Sequence, residues 1–220
     1  MTAPRAVLFD LDGTLLDTAP DMIGALNALR LEQALGALPA AQLRPAVSHG
    51  SARLVKLGFP EAINERFTAL QGRFLELYAA RLSAETRLFE GMDAVLEELA
   101  ARRIAVGIVT NKPARLTEAL LHDLKLRERF ACVVSGDSLP ERKPHPLPML
   151  HAARAAGAAG DECIYLGDAE RDVQAAHAAG MLALVATYGY LGEDEDWRLW
   201  GADGFIERPQ ELLAWLGERA

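Results

Sequence analysis

Short apolar runs alternate with amphipathic stretches over most of the chain beyond residue 90. The runs predict β-strands at residues 104–110, 131–134, 163–166 and 182–186, and a short edge strand at 204–206. The stretches near them predict helices at about 91–102, 113–124, 146–157, 170–179 and 209–218. This alternation predicts a doubly wound α/β fold, in which helices cover both faces of a parallel sheet.

The apolar run at residues 6–9 is a further predicted strand, and it leads into the sequence Asp10-Leu11-Asp12-Gly13-Thr14. Ligands bind at the carboxyl ends of the strands in open α/β sheets, so Asp10 and Asp12 lie where chemistry is expected. Residues i and i+2 of a strand share one side, which predicts that the two carboxylates converge. Because like charges repel, we expect a hard cation such as Mg²⁺ between them.

Residues 18–85 depart from the alternating pattern and contain no convincing strand. Apolar residues recur there at helical spacing, first between residues 22 and 29 and again between 63 and 78. We therefore expect an α/β core domain of residues 1–17 and 86–220, with an all-helical cap domain of residues 18–85 inserted into it. A cap over the strand ends would exclude water, whereas the alternative is a helical bundle that only adds stability.

Composition and charge narrow the class of partner. Half of the 220 residues are hydrophobic, and the formal net charge is −8. The negative charge argues against nucleic acid or an anionic membrane as the main partner. No apolar run approaches the ~20 residues of a membrane span, and the first run is too short for a signal peptide. Cys132 and Cys163 lie in strand-like runs and are expected to be buried free thiols. A cytoplasmic enzyme is the expectation.

Three further predicted strand ends carry polar residues. Thr110–Lys112 ends one strand with a hydroxyl, an amide and a cation, Lys143 follows the next strand, and Asp168 and Asp172 follow the one after. Each feature alone is common, since a Gly-Asp after a strand often serves only as a helix cap. Their order along the chain, each after an apolar strand, indicates one shared site.

These residues resemble the four motifs of the haloacid dehalogenase superfamily, in its phosphatase branch. The motifs are Asp10–Thr14, Thr110–Asn111, Lys143, and Gly167–Asp168 with Asp172. The resemblance covers the whole chain and implies a Rossmann-like α/β core with the helical cap inserted after the first motif. It also implies a phosphatase that acts on a small-molecule phosphate ester, with Mg²⁺ as cofactor.

The resemblance implies a role for each catalytic residue. Asp10 would be the nucleophile that attacks phosphorus, and Asp12 the general acid and then the base that activates water. Thr110 and the Asn111 backbone would hold the phosphoryl oxygens, while Lys143 would neutralise charge on Asp10 and the phosphoryl group. A carboxylate that meets an anionic phosphate needs such cations nearby.

Metal and phosphate ligands follow from the same resemblance. The implied Mg²⁺ ligands are Asp10, Asp168 and Asp172, with the main chain of Leu11 or Asp12. Thr14 would help to bind phosphate. Asp137, after the third strand of the core, is a candidate for orienting the metal shell, and the alternative for Asp172 is that it only pairs with Arg171 or Lys143.

A loop in the cap is expected to select the substrate. The stretch Ser48–Arg53 is the candidate, in which Ser48 would contact substrate and His49 or Arg53 would read a carboxylate. The alternative is a simple turn between helices. Similarity to phosphoglycolate phosphatases is carried by residues 110–113, 143–148 and 188–190. Similarity to a sister group, the phosphatases of N-acetylmuramic acid 6-phosphate, is carried by residues 200–203 and 208–212. Both substrates carry a carboxylate as well as a phosphate.

Other functions stay open at this point. A dehalogenase would need neither Asp12 nor the acidic pair, whereas a sugar phosphomutase would keep all four motifs and differ mainly in its cap. A non-catalytic module that binds Mg²⁺ and phosphate is a further alternative. We expect no nucleic-acid or membrane partner, and a monomer or homodimer.

Overall fold

A six-stranded, all-parallel sheet forms the centre of the computed structural model, which describes residues 4–192 and 196–217. The strands in chain order are β1 (Ala6–Phe9), β2 (Leu16–Asp17), β3 (Arg87–Leu88), β4 (Ala105–Val109), β5 (Cys132–Val134), β6 (Cys163–Gly167), β7 (Leu182–Ala186) and β8 (Gly204–Ile206). The sheet has the order β5-β4-β1-β6-β7-β8, and β2 and β3 form a separate antiparallel pair. The predicted doubly wound α/β fold is confirmed, with β8 at one edge.

The helices in chain order are α1 (Ala19–Glu32), α2 (Ala40–Leu43), α3 (Gly50–Gly58), α4 (Asn64–Ala79), α5 (Met92–Ala101), α6 (Ala114–Asp123), α7 (Leu147–Ala155), α8 (Glu170–Ala178) and α9 (Glu211–Gly217). The helices expected in the core domain are present, and the described ends of each lie within two residues of the expected bounds. The helix expected at 209–218 begins at Glu211, and its predicted last residue lies outside the described residues.

Strand β1 lies at the centre of the sheet because its side chains are apolar on both faces. Val7 and Phe9 belong to one buried cluster, and Ala6 and Leu8 to a second cluster on the opposite face. The ladder continues one residue beyond the strand, where the Asp10 amide donates to the Leu166 carbonyl at 2.9 Å. This bond holds Asp10 at the carboxyl edge, beside the ends of β4 and β6.

Helices α1 to α4 form the inserted helical segment between β2 and β3, and α1 packs against both α3 and α4. Leu26 and Leu29 of α1 and Phe74 and Tyr78 of α4 are buried. The backbone pairs Leu16↔Leu88 and Asp17↔Arg87 join the two chain segments that connect the helical segment to the core. Two-residue strands carry no periodic signal, so the sequence did not indicate this hairpin. The bounds 18–85 stay a prediction.

Two further expectations concern the membrane and the thiols. Among the described residues, no helix combines the length and the apolar character that crossing a bilayer requires. Cys132 and Cys163 are buried free thiols, as expected, and burial raises the pKa of both, that of Cys163 to about 11.

Candidate active site

The carboxylate of Asp10 is buried at the end of β1 and bound to a buried cation. Its Oδ1 lies 3.0 Å from Nζ of Lys143 and accepts a hydrogen bond from the Leu11 amide at 2.7 Å. The same ammonium lies 2.8 Å from Asp172 Oδ1 and donates to the Tyr165 hydroxyl at 2.8 Å. Lys143 therefore contacts Asp10 and Asp172 at the same time, so its pairing with Asp172 does not replace its contact with Asp10.

Three carboxylates meet at this edge of the sheet. One oxygen each of Asp10, Asp168 and Asp172 lies within 4.8 Å of the others, and all three side chains are buried. Burial, and then the charges of Asp10 and Asp172, raise the pKa of Asp168 from 3.8 to about 7. Burial is also the main cause that raises the pKa of Asp172. The cluster is electrostatically strained when all three groups are ionised.

This donor set fits a divalent cation. Buried carboxylate oxygens are the ligands that Mg²⁺ prefers. Within residues 4–192 and 196–217, the cations that contact the cluster are Lys143 and Arg171, the latter 4.0 Å from Asp10 Oδ2, so three carboxylates face two positive charges. A bound divalent cation would neutralise the remaining charge and relieve the repulsion that raises the pKa of Asp168.

The turn after β1 is shaped around Asp168. Gly13 has a φ of +85°, and a Cβ added there would lie 2.1 Å from Asp168 Oδ2, so the turn needs glycine for both reasons. The Thr14 hydroxyl lies 3.5 Å from Asp168 Oδ1, and the Tyr190 amide donates to Oδ2 at 3.0 Å. Thr14, a predicted phosphate ligand, is thus placed at the carboxylate cluster.

The Asp12 carboxylate does not join this cluster. Its Oδ1 accepts hydrogen bonds from the Thr18 hydroxyl at 2.7 Å and from Lys112 Nζ at 2.9 Å. The reason is that β1 ends at Phe9, so strand alternation no longer applies at residue 12 and the turn directs Asp12 toward Lys112. The expected convergence of the two side chains on one cation is not observed, and only the Asp12 main chain stays a candidate ligand.

Thr110 and Asn111 follow β4 beside Asp10. Thr110 is buried, and its Oγ1 accepts from the Lys112 amide at 3.2 Å. Asn111 forms a reciprocal pair with the Lys143 backbone, donating Nδ2 to its carbonyl at 2.9 Å and accepting from its amide at 3.1 Å. The Asn111 side chain therefore fixes the segment that carries the Lys143 ammonium.

The predicted specificity loop is helical, since Ser48 and His49 end a short 3-10 helix and Gly50–Arg53 form the start of α3, and it reaches the site through one residue. The Ser48 hydroxyl donates to Asp168 Oδ2 at 2.5 Å, whereas His49 and Arg53 are exposed and lie outside the carboxylate cluster. Asp137 accepts from the Ala114 amide at 2.7 Å, where it caps α6. The expectation that Asp137 orients the metal shell has no support in these contacts.

Two cations at the site were not assigned from the sequence. Arg171 is largely buried at the start of α8, donates to the Ser48 carbonyl at 2.7 Å and keeps a buried Nε without a partner among the described residues. Lys112 is buried, and its ammonium also donates to the Tyr78 hydroxyl at 2.7 Å. The sequence did hold a signal for both residues. Lys112 directly follows a predicted strand end, and Arg171 is the neighbour of the predicted metal ligand Asp172.

The chain is similar to known phosphatases over almost its whole length. The sequence model of the family described as haloacid dehalogenase-like hydrolase matches residues 7–186. A phosphoglycolate phosphatase of Xanthomonas campestris pv. campestris is 46% identical over 212 residues, 96% of each chain. An N-acetylmuramic acid 6-phosphate phosphatase of Pseudomonas putida is 36% identical over 211 residues, 94% of each chain. The crystal structure of a predicted phosphoglycolate phosphatase from Haemophilus somnus matches with a TM-score of 0.86 at 27% identity, over 97% of this chain and 98% of that one.

Proposed function

The chain belongs to the family of haloacid dehalogenase-like hydrolases, and from that premise we propose that it is a Mg²⁺-dependent phosphatase that hydrolyses 2-phosphoglycolate to glycolate and phosphate. The observation that carries the proposal is the buried ion pair of Asp10 and Lys143 beside the carboxylates of Asp168 and Asp172. A nucleophilic carboxylate, a cation and a set of metal ligands thus meet at one strand end.

In the first half of the reaction, an Asp10 carboxylate oxygen attacks phosphorus and the bond between phosphorus and the ester oxygen breaks. Asp12, as the carboxylic acid, gives its proton to the departing alkoxide oxygen, so glycolate leaves with its hydroxyl complete. The phosphoryl group is then held on Asp10 as an aspartyl-phosphate. Thr110 and the Asn111 amide would hold the phosphoryl oxygens at the end of β4.

In the second half, the Asp12 carboxylate takes a proton from water while the water oxygen attacks phosphorus. The bond between phosphorus and the Asp10 oxygen breaks, which restores both aspartates to their starting states. Mg²⁺, held by Asp10, Asp168, Asp172 and the Asp12 main chain, would supply positive charge to the phosphoryl oxygens. The Lys143 ammonium would also supply positive charge to the phosphoryl oxygens. Positioning and charge neutralisation of this kind provide most of the acceleration in phosphoryl transfer.

The helical segment would act as a cap. The contacts that support this role are Ser48 with Asp168 and the Ser48 carbonyl with Arg171, since they bring the start of α3 and the residues just before it to the strand ends. A cap in this place would exclude water from the aspartyl-phosphate until it is needed. His49 and Arg53, exposed in this structure, would come to the substrate carboxylate on closure.

The substrate is the finer part of the proposal. The relative named phosphoglycolate phosphatase is 46% identical, whereas the one named N-acetylmuramic acid 6-phosphate phosphatase is 36% identical, and this difference favours 2-phosphoglycolate. The second substrate stays a candidate because that relative also covers 94% of the chain. The free thiols Cys132 and Cys163 support a reducing, cytoplasmic setting. The protein would act there as a monomer or homodimer.

The test is kcat/KM with Mg²⁺ for 2-phosphoglycolate and N-acetylmuramic acid 6-phosphate, measured side by side. A preference of at least about 100-fold for 2-phosphoglycolate, ~2.7 kcal/mol in the transition state, is expected. The opposite preference assigns the cell-wall sugar as substrate. The Asp10→Asn variant should keep its fold and lose turnover, so normal turnover in this variant contradicts the nucleophile assignment.

A further inference from the structure

Lys112 is a second buried lysine at the site, separate from Lys143. It follows β4, its side chain is 4% exposed, and its ammonium lies 2.9 Å from Asp12 Oδ1 and 3.3 Å from Oδ2. A buried ammonium without a counter-ion costs several kcal/mol, so the Asp12 contact is a requirement of the fold at this position. Lys112 and Asp12 therefore hold each other in place.

The third member of this contact comes from the helical segment. The Tyr78 hydroxyl on α4 accepts a hydrogen bond from Lys112 Nζ at 2.7 Å, and the ammonium lies 4.6 Å from the centre of the Tyr78 ring. Tyr78 is itself buried and stacks on Phe74 in the same helix. A chain of hydrogen bonds thus runs from α4, through Lys112, to the carboxylate of Asp12.

The two oxygens of Asp12 are not equivalent in this arrangement. Oδ1 accepts from both the Thr18 hydroxyl at 2.7 Å and Lys112 at 2.9 Å, whereas the hydrogen bond to Oδ2 from the described part of the chain is the longer one from Lys112, at 3.3 Å. Oδ1 is the anchored oxygen and Oδ2 is the one left to exchange a proton. General acid–base catalysis depends on this kind of placement, because the reacting oxygen has to lie within hydrogen-bond reach of the proton.

We propose that Lys112 is a positioning residue that fixes the Asp12 carboxylate for proton transfer, and that Tyr78 sets the position of Lys112 from the helical segment. This inference rests on the proposed function, since it gives Asp12 the role of acid and base. The contact between Tyr78 and Lys112 joins the helical segment to the core. The packing of α4 therefore affects the position of the Asp12 carboxylate.

The test uses p-nitrophenyl phosphate with Mg²⁺ and the variants Lys112→Met, Tyr78→Phe and Asp12→Asn. The aryl leaving group departs without a proton, so Asp10 is phosphorylated without help from Asp12, whereas hydrolysis of the aspartyl-phosphate still needs the Asp12 base. Intact-protein mass spectrometry of acid-quenched samples measures the phosphorylated fraction. Lys56→Met, an exposed lysine on α3, is the matched control.

We expect kcat of Lys112→Met to fall about 100-fold while the phosphorylated fraction rises, because a misplaced carboxylate slows only the hydrolysis of the intermediate. Tyr78→Phe, which loses one hydrogen bond to a charged group, should show the same pattern at about tenfold. The double variant Asp12→Asn/Lys112→Met should be within about threefold of Asp12→Asn alone, since Lys112 acts through Asp12.

The inference is overturned if Lys112→Met has the kcat of Lys56→Met, or if its turnover falls without accumulation of phosphorylated enzyme. Should Lys112→Met not fold, as circular dichroism would show, Tyr78→Phe decides by the same two criteria. A different result sinks the proposed function itself: wild-type protein that hydrolyses no phosphomonoester, or Asp12→Asn with wild-type turnover. The two failures are distinguishable because only the second concerns the wild type or Asp12.

Discussion

The carboxylate cluster should make the metal-free protein lose stability as the pH rises. The pKa of Asp168 is raised from 3.8 to about 7, so the folded state binds its proton more tightly than the unfolded chain does. The stabilisation from this proton is complete below pH 3.8 and is lost as the pH rises through about 7. At ~1.36 kcal/mol per pKa unit, the shift corresponds to about 4 kcal/mol of unfolding free energy.

Asp168→Asn removes the titrating group and keeps an oxygen that can accept from the Ser48 hydroxyl and the Tyr190 amide. In EDTA, its unfolding free energy relative to wild type should rise by up to about 4 kcal/mol between pH 4 and pH 8. Asp172 titrates in the same cluster, so the difference between the two proteins is the quantity to compare, rather than either curve alone.

Urea unfolding followed by circular dichroism at several pH values measures this difference. The matched control is Asp161→Asn, an exposed aspartate outside the cluster, whose curve should run parallel to that of wild type. Saturating Mg²⁺ at a hundred times Kd should add ~2.7 kcal/mol to wild type at pH 8, and less at pH 5.5 because protons compete for the ligands. A gap between wild type and Asp168→Asn that does not change with pH would refute the reasoning.

Two further predictions concern the same edge of the sheet. Lys143→Met removes the ammonium that the buried carboxylates of Asp10 and Asp172 share. It should lower the unfolding free energy by about 3–5 kcal/mol at pH 8, as measured by urea titration. An unchanged unfolding midpoint would argue against the shared ion pair. Gly13→Ala introduces a Cβ 2.1 Å from Asp168 Oδ2 at a φ of +85°, so it should weaken Mg²⁺ binding in calorimetry and lower kcat about 100-fold. Wild-type affinity in that variant would mean that the turn can move without cost.

The positions of the candidate catalytic residues could be predicted because the signal for each is local. A run such as residues 6–9 is apolar at every position, which is typical of a strand buried on both faces, and Asp10 follows it directly. Parallel strands present their carboxyl ends at one edge, so Thr110, Lys143 and Asp168 were expected at the same edge as Asp10. The cluster of Asp10, Asp168 and Asp172 is the arrangement that this reasoning implies.

The direction of a side chain beyond a strand end could not be predicted in the same way. Strand periodicity stops at Phe9, and the turn that follows decides whether Asp12 faces the cluster or Lys112. The choice is made by a lysine 100 residues later that needs a counter-ion.

The sequence by itself determined which segments form the strands of the six-stranded sheet and the helices of the core, and which carboxylates follow those strands, because hydrophobic periodicity is a property of neighbouring residues. Only the tertiary structure decided which charges meet. Ser48 contacts Asp168 across 120 residues, and Tyr78 contacts Lys112 across 34. Pairings of this kind depend on how the helical segment packs over the sheet, since a buried charge takes as its partner whichever group the fold brings within hydrogen-bond distance.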